Sequence, residues 1–200
     1  LIRTSYGYMT TTLRQSGITP IDLASVCTLN NCTLPANLAN GVYLANGDVT
    51  LNAYTFPTGK SYVILINGNL TIAGEIHIPV GSAVTFSVSG DITVATAIGV
   101  SDFCSQTANV DGFFSADGSF IIEGLNDCTL YPTQKDKRFN LAGGIVVNAA
   151  QSGGSLQNQR DLCDDDLLAP AFSIIARPDF LLNVPEFIKY RSDVWREIAP

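Results

Sequence analysis

A chain of 200 residues holds one domain, or one domain with a short appendage at each end. Its net charge of −7, with Lys135, Lys137 and Arg138 the only grouped cations, excludes a basic nucleic-acid surface. Hydrophobic residues reach 46% and charged ones only 14%, yet the longest apolar run, Tyr62 to Ile66, falls far short of the ~20 residues a membrane helix needs. The apolar content must therefore be buried in short segments, which points to β structure. Few lysines among many Thr, Ser, Asn and Gly suit an exported protein. Leu1 is not Met and no charged-then-apolar leader follows it, so the chain reads as a mature or trimmed piece of something longer.

Residues 1–40 contain no repeat and read as an irregular cap or linker, with a short helix expected from Ile21 to Val26 after Pro20. Cys27 and Cys32 flank Thr28 to Asn31 and are close enough to close a small loop. From residue 41 to 150 a pattern recurs: Val42 to Leu51 returns as Val63 to Ile72, as Thr85 to Val94 and, less regularly, as Phe113 to Ile122. Each copy is a short strand, a polar-Gly-polar corner and an apolar-x-apolar strand. The corner glycines Gly47, Gly68, Gly90 and Gly118 are spaced by 21, 22 and 28 residues. Glycine suits a sharp turn that needs positive φ. After each corner, Val49 and Leu51, Leu70 and Ile72, Ile92 and Val94, and Phe120 and Ile122 share one face. Alternation puts Thr50, Thr71, Thr93 and Ile121 on the other.

Glu75 to Pro79 supplies a further alternating strand, closed by Val80 and Gly81. The long third step contains an insertion near residues 100–112 that carries Cys104. A weaker fifth copy runs from Leu141 to Asn148, with Gly143 and Gly144 expected to make its corner. Residues 151–200 change character and read as a C-terminal cap. Phe172 to Ile175 is a candidate strand, Pro185 to Tyr190 a candidate helical turn, and Trp195, Phe180 and Phe187 are large enough to cover an end.

A period near 21 residues is that of one rung in a β-solenoid. The expected fold is therefore all-β: a single-stranded, right-handed β-solenoid (β-helix) of about four to five rungs with irregular caps at both ends. A β-sandwich is the rival, and the repetition in kind argues against it.

Cys104 and Cys128 bracket the segment that interrupts the repeat, which would leave Cys163 free or paired to another chain. Five cysteines allow other connectivities, and buried unpaired thiols are the remaining alternative. With no C-x-x-C pair and the lone His77, a structural zinc site is unsupported.

Arg160-Asp161-Leu162, Pro170-Ala171-Phe172, Arg177 to Leu182 and Trp195 to Pro200 occur as a set. This set, with the repeat from 41 onward, resembles the C-terminal ends of very large predicted surface proteins of candidate-phyla-radiation bacteria. The resemblance implies an extracellular location, a solenoid with Asn-Gly-rich rungs and a natural C-terminus at Pro200. It implies no catalytic residue. The run Cys163 to Asp166 and the cysteine-flanked insertion depart from it, and residues 1–40 lie outside it.

Among candidate chemistries, Asp48 and Asp91 take matching corner positions, about 10 Å apart when stacked. That is turn chemistry rather than the paired carboxylates of a polysaccharide hydrolase. Asp161, Asp164, Asp165 and Asp166 make a weak calcium candidate that lacks the spaced Asp-x-Asp-x-Asp-Gly loop, and no cofactor other than calcium is expected. The Thr50, Thr71 and Thr93 ladder has one threonine per copy, where ice-binding surfaces usually show two, and threonine favours strands in any case. His77, between Ile76 and Ile78, is expected to face outward, and no motif places a nucleophile beside it. Asn31-Cys32-Thr33 and Asn69-Leu70-Thr71 match the glycosylation pattern, which a bacterial source would void. The function expected is a non-catalytic structural or adhesive surface module, including a self-assembling filament subunit. Its partners would be other chains, copies of itself or surface glycans. A glycan-binding or polysaccharide-active protein is the alternative, and an ice-binding one is further behind.

Overall fold

Alternating apolar residues place one strand of each repeat on either side of a shared core. In a computed structural model, residues 4–125, 128–129, 135–149, 153–185 and 188 are described. The elements run α1 (Tyr6–Gln15), β1 (Ile21–Asp22), β2 (Gly41–Asn46), β3 (Val49–Leu51), β4 (Tyr54–Thr55), β5 (Ser61–Asn67), β6 (Leu70–Ile72) and β7 (Ile76–His77). They continue as β8 (Ala83–Val88), β9 (Ile92–Val94), β10 (Val110–Ala116), β11 (Phe120–Ile122), β12 (Phe139–Val147), β13 (Leu156–Asn158), β14 (Phe172–Ile175) and α2 (Pro178–Asn183).

The expectation of a single-stranded β-solenoid is overturned. Among the described residues the strands collect in two parallel sheets, one nine-stranded with the path β1-β2-β5-β8-β10-β12-β14, one five-stranded with the order β13-β11-β9-β6-β3. The large sheet forks at β10. Its first residue, Val110, pairs with Ile76 of β7, while Phe113 to Ala116 pair with Thr85 to Val88 of β8. Strand β4 joins β7 on the side branch, so the repeats are not equivalent coils. A second difference lies outside the sheet. Met9 and Leu13 of α1 pack on Val42, Val63 and Leu65, which β2 and β5 turn away from the core. Phe180 of α2 is buried near Gly143 of β12. With α1 over the outer face of β2 and β5, that part of the large sheet is buried on both sides, as parallel sheets of α/β proteins are. The architecture is a two-sheet parallel fold with few helices, α/β-like rather than all-β.

Register builds the core. In the small sheet Val49, Leu70, Ile92, Phe120 and Leu156 align, as do Leu51, Ile72, Val94 and Ile122. In the large sheet Tyr43, Ile64, Phe86, Phe114 and Ile145 align against them. Phe86 and Phe114 stack with centroids 4.8 Å apart, and Phe120 meets Phe114 edge-on at 5.9 Å. All three rings are fully buried. Stacked rings of this kind add about 1 kcal/mol beyond the burial itself.

Three further expectations change. Ile21 to Val26 is not a helix: Ile21 and Asp22 pair with Tyr43 and Leu44 as β1, and Leu23–Ser25 is one 3-10 turn that the Asp22 carboxylate caps through the Ala24 N–H. The helix lies earlier, at α1. Gly143 and Gly144 make no corner but sit inside β12 opposite Gly112 and Phe113. A side chain on Gly143 would run into the Gly112 carbonyl, so the glycine serves a close approach of two strands. The fifth corner is instead at Gly154, just before β13 and stacked on Gly118. Of the large C-terminal side chains expected to cover an end, Phe180 is in the core, while Phe187 and Trp195 lie outside the described residues. The candidate turn from Pro185 to Tyr190 is described only at residues 185 and 188.

Candidate functional site

The corners use up the carboxylates that sequence alone left open. Asp48 Oδ1 accepts the Asn69 N–H at 2.8 Å, Asn69 Oδ1 accepts the Asp91 N–H at 2.9 Å, and Asp91 Oδ1 accepts the Ser119 N–H at 2.6 Å. Each side chain thus ties its corner to the next, and Asp48 and Asp91 have a structural role. Glycine is needed at Gly47 for its φ of 131° and at the later corners for space. Gly90 and Gly118 have no positive φ, but a Cβ on Gly118 would lie 2.8 Å from the Gly90 carbonyl carbon. Thr50, Thr71 and Thr93 pair in register and are half-buried on the outer face of the small sheet, followed by Ile121 and Gln157. His77 is 44% exposed, with Nε2 3.4 Å from Glu75.

Charged groups are concentrated instead where the chain ends its two sheets. Arg160 is buried. Its guanidinium donates to the carbonyls of Glu123 (3.1 Å), Lys137 (2.8 Å), Ala95 (3.0 Å) and Ile98, and lies 5.4 Å from the Phe139 ring centroid. Burial pushes its pKa down to about 10, so it remains a cation at neutral pH. Asp136 accepts the N–H groups of Leu125 and Asp161. The 3-10 helix Cys163–Leu167 follows, entered at Cys163 with φ 61°, a left-handed angle unusual for a residue with a side chain.

The disulfides are Cys27–Cys32 and Cys128–Cys163, and the free thiol is the exposed Cys104. Pairing of Cys104 with Cys128 and a leftover Cys163 is thereby corrected: 35 residues separate Cys128 from Cys163, and folding brings them together at this end. The acidic run has partners of its own. Asp161 accepts the Cys163 N–H at 2.7 Å, Asp166 the Leu162 N–H at 3.1 Å, and Lys135 bonds Asp165. Desolvation, with Asp161 and Asp165 nearby, raises the Asp166 pKa. Cys128, Asp161 and Cys163 lie close enough to surround an ion, but both sulfurs are bound to each other and offer no thiolate.

Arg177 ties α2 to the sheet. It forms a fork with both Asp179 oxygens at 2.8 Å, reaches the Ile78 carbonyl, approaches Asp111 at 3.7 Å and covers the Phe180 ring at 4.3 Å. With Phe113, Gly143 and Gly144 it lines an apolar groove of about 340 Å³. The Arg177 hydrogen bond holds the Asp179 pKa below its ordinary 3.8. A folded pKa below the unfolded one gives stability that is complete above the unfolded value and lost as pH falls through the folded one. Burial raises the pKa of Asp111, which therefore works in the opposite sense. Asp179→Asn is accordingly expected to lower stability by about 1 kcal/mol at pH 6. In urea titrations across the acid range, its deficit relative to the wild type should shrink below the ordinary Asp pKa.

One end of the molecule is distinct in its surface. Leu156 on β13 and Ile174 on β14, the last strands of their sheets, are each 48% exposed. Leu125, Leu167 and Leu168 nearby are exposed, Leu167 by 89%. At the opposite end the Cys27–Cys32 loop closes the small sheet: the Cys32 N–H donates to Thr50 and its carbonyl accepts from Asn52, over buried Leu23, Leu34 and Leu38. Sequence reasoning missed this asymmetry, because Leu156 holds a core register position and is exposed only because no described strand follows it. Two disulfides are compatible with an extracellular setting. Among the described residues, no helix is long and apolar enough to cross a membrane. No family model, curated protein or solved structure matches the chain.

Proposed function

We propose that this chain is a non-catalytic structural contact module of an extracellular surface or appendage protein, and that its C-terminal end joins a second copy. The observation that carries this reading is the exposure of Leu125, Leu156, Leu167, Leu168 and Ile174 beside the last strands of both sheets. Strand edges with apolar side chains are templates for pairing with another chain. The other end is shorter and offers less apolar edge: β1 is two residues long, with Ile21 40% exposed beside the charged Asp22, and the disulfide loop covers β3. One open and one closed end favour pairwise contact between copies over an endless head-to-tail filament.

The test is light scattering on the reduced and non-reduced protein across a concentration series. The wild type should form a concentration-dependent dimer, and the Leu156→Lys, Ile174→Lys double variant should remain monomeric. A wild type that stays monomeric up to about millimolar concentration, where an association worth about 4 kcal/mol becomes visible, overturns the proposal.

A further inference from the structure

The segment around Asp136 and the turn that begins at Cys163 are clamped to each other at several points. The Cys128–Cys163 bond joins them covalently. The Asp136 N–H donates to the Asp161 carbonyl at 3.3 Å, and the Asp161 N–H returns to the Asp136 carboxylate at 3.0 Å. Within the turn the Asp165 N–H donates to the Leu162 carbonyl, and the Asp165 carbonyl accepts from Leu168 and Ala169. Between these clamps Lys135 Nζ is in direct contact with the carboxylate of Asp165, 30 residues further along the chain.

The contact is shielded from water. Side-chain exposure is 20% for Lys135 and 10% for Asp165, and the Phe103 ring centroid lies 5.3 Å from Nζ. Withdrawing an ammonium and a carboxylate from water costs free energy that their attraction only partly returns. Conversion to a neutral amide removes both charges. Free amines and carboxylates condense little in water, but two groups held in contact react as if at an effective concentration of about 10⁵–10⁸ M. Asp166, the next residue of the turn, hydrogen-bonds Asp161, and desolvation, with Asp161 and Asp165 close by, raises its pKa. A carboxyl of that kind can pass a proton to an oxygen leaving Asp165.

We propose that Lys135 and Asp165 form an intramolecular isopeptide bond, a covalent cross-link at the C-terminal end of the fold. Lys135 Nζ gives up a proton, and its lone pair attacks Cγ of Asp165. The C–N bond forms, one C–O bond breaks, and the oxygen departs as water with a proton delivered through Asp166. Ammonium and carboxylate thus become one amide and one water, with no oxidant, reductant or second substrate. Unlike the disulfide beside it, the amide survives reduction and holds this end of the molecule in either redox state.

The intact mass of the native chain, reduced and denatured, tests the proposal. It should lie below the sequence mass by one water, about 18 Da. Trypsin should leave the chain uncut after Lys135 and release a branched peptide that contains both Lys135 and Asp165. Lys135→Arg and Asp165→Ala should each restore the full sequence mass. Asp166→Asn should slow cross-linking of newly made chain by about 100-fold, and an unchanged rate overturns the role given to Asp166. Full sequence mass in the native chain overturns the proposal. So does a water loss that persists in Lys135→Arg, which belongs to dehydration elsewhere, such as ring closure at Asp111-Gly112 or Asp117-Gly118. The native chain alone decides the matter through its mass and its branched peptide, should a variant fail to fold. Neither result depends on whether the chain dimerises.

Discussion

Arg160→Met is expected to be the most destabilising single substitution in the charged network, lowering the unfolding free energy by about 3–5 kcal/mol. Methionine fills much of the same space and can keep the contact with Phe139, so volume is not the main loss. The loss is in polar groups. The guanidinium serves the carbonyls of Ala95, Ile98, Glu123 and Lys137, which come from three passes of the chain, Ala95 and Ile98 sharing one turn. Each buried carbonyl left without a donor costs about 1–3 kcal/mol, although losses at one site do not simply add. Arg160→Lys should recover only part of the deficit, because an ammonium has three donors and no planar fork. Urea unfolding at neutral pH, monitored by near-ultraviolet circular dichroism, measures it. A Met variant within about 1 kcal/mol of the wild type would show that water replaces the arginine at this position.

Removing the second disulfide, as the Cys128→Ser, Cys163→Ser pair, ranks next. The bond closes a loop with a sequence separation of 35, against 5 for Cys27–Cys32. Loop-closure entropy gives about 4 kcal/mol for the larger loop and about 2 kcal/mol for the smaller. The larger loss should also free the Cys163–Leu167 turn, whose entry residue has a left-handed backbone. Both double variants can be compared with the wild type by urea titration. Equal losses for the two would rule out closure entropy as the source of the difference.

The strand periodicity was readable without coordinates. Apolar alternation at Val49 and Leu51, Leu70 and Ile72, and Ile92 and Val94 defined both the buried face and the register, because side-chain direction in a strand follows a period of two. The tight Cys27–Cys32 pairing was readable for a similar local reason. Helix α1 was not: its two core contacts, Met9 and Leu13, stand among threonines with little intrinsic helix preference, and what holds them is the outer face of β2 and β5.

What the sequence by itself determined is thus everything carried by a spacing of a few residues: strands, facing, corner glycines and the absence of any long apolar span. The tertiary structure decided how the copies assemble. Whether β7 and β8 flank β10 as separate branches depends on strand lengths matched across some 30 residues of chain, which no local period records. The same holds for the candidate sites. The Cys128–Cys163 bond, the exposure of Leu156 and the seating of Arg160 among four backbone carbonyls arise where distant segments meet. Their energies come from desolvation and proximity, and both exist only once the chain has closed on itself.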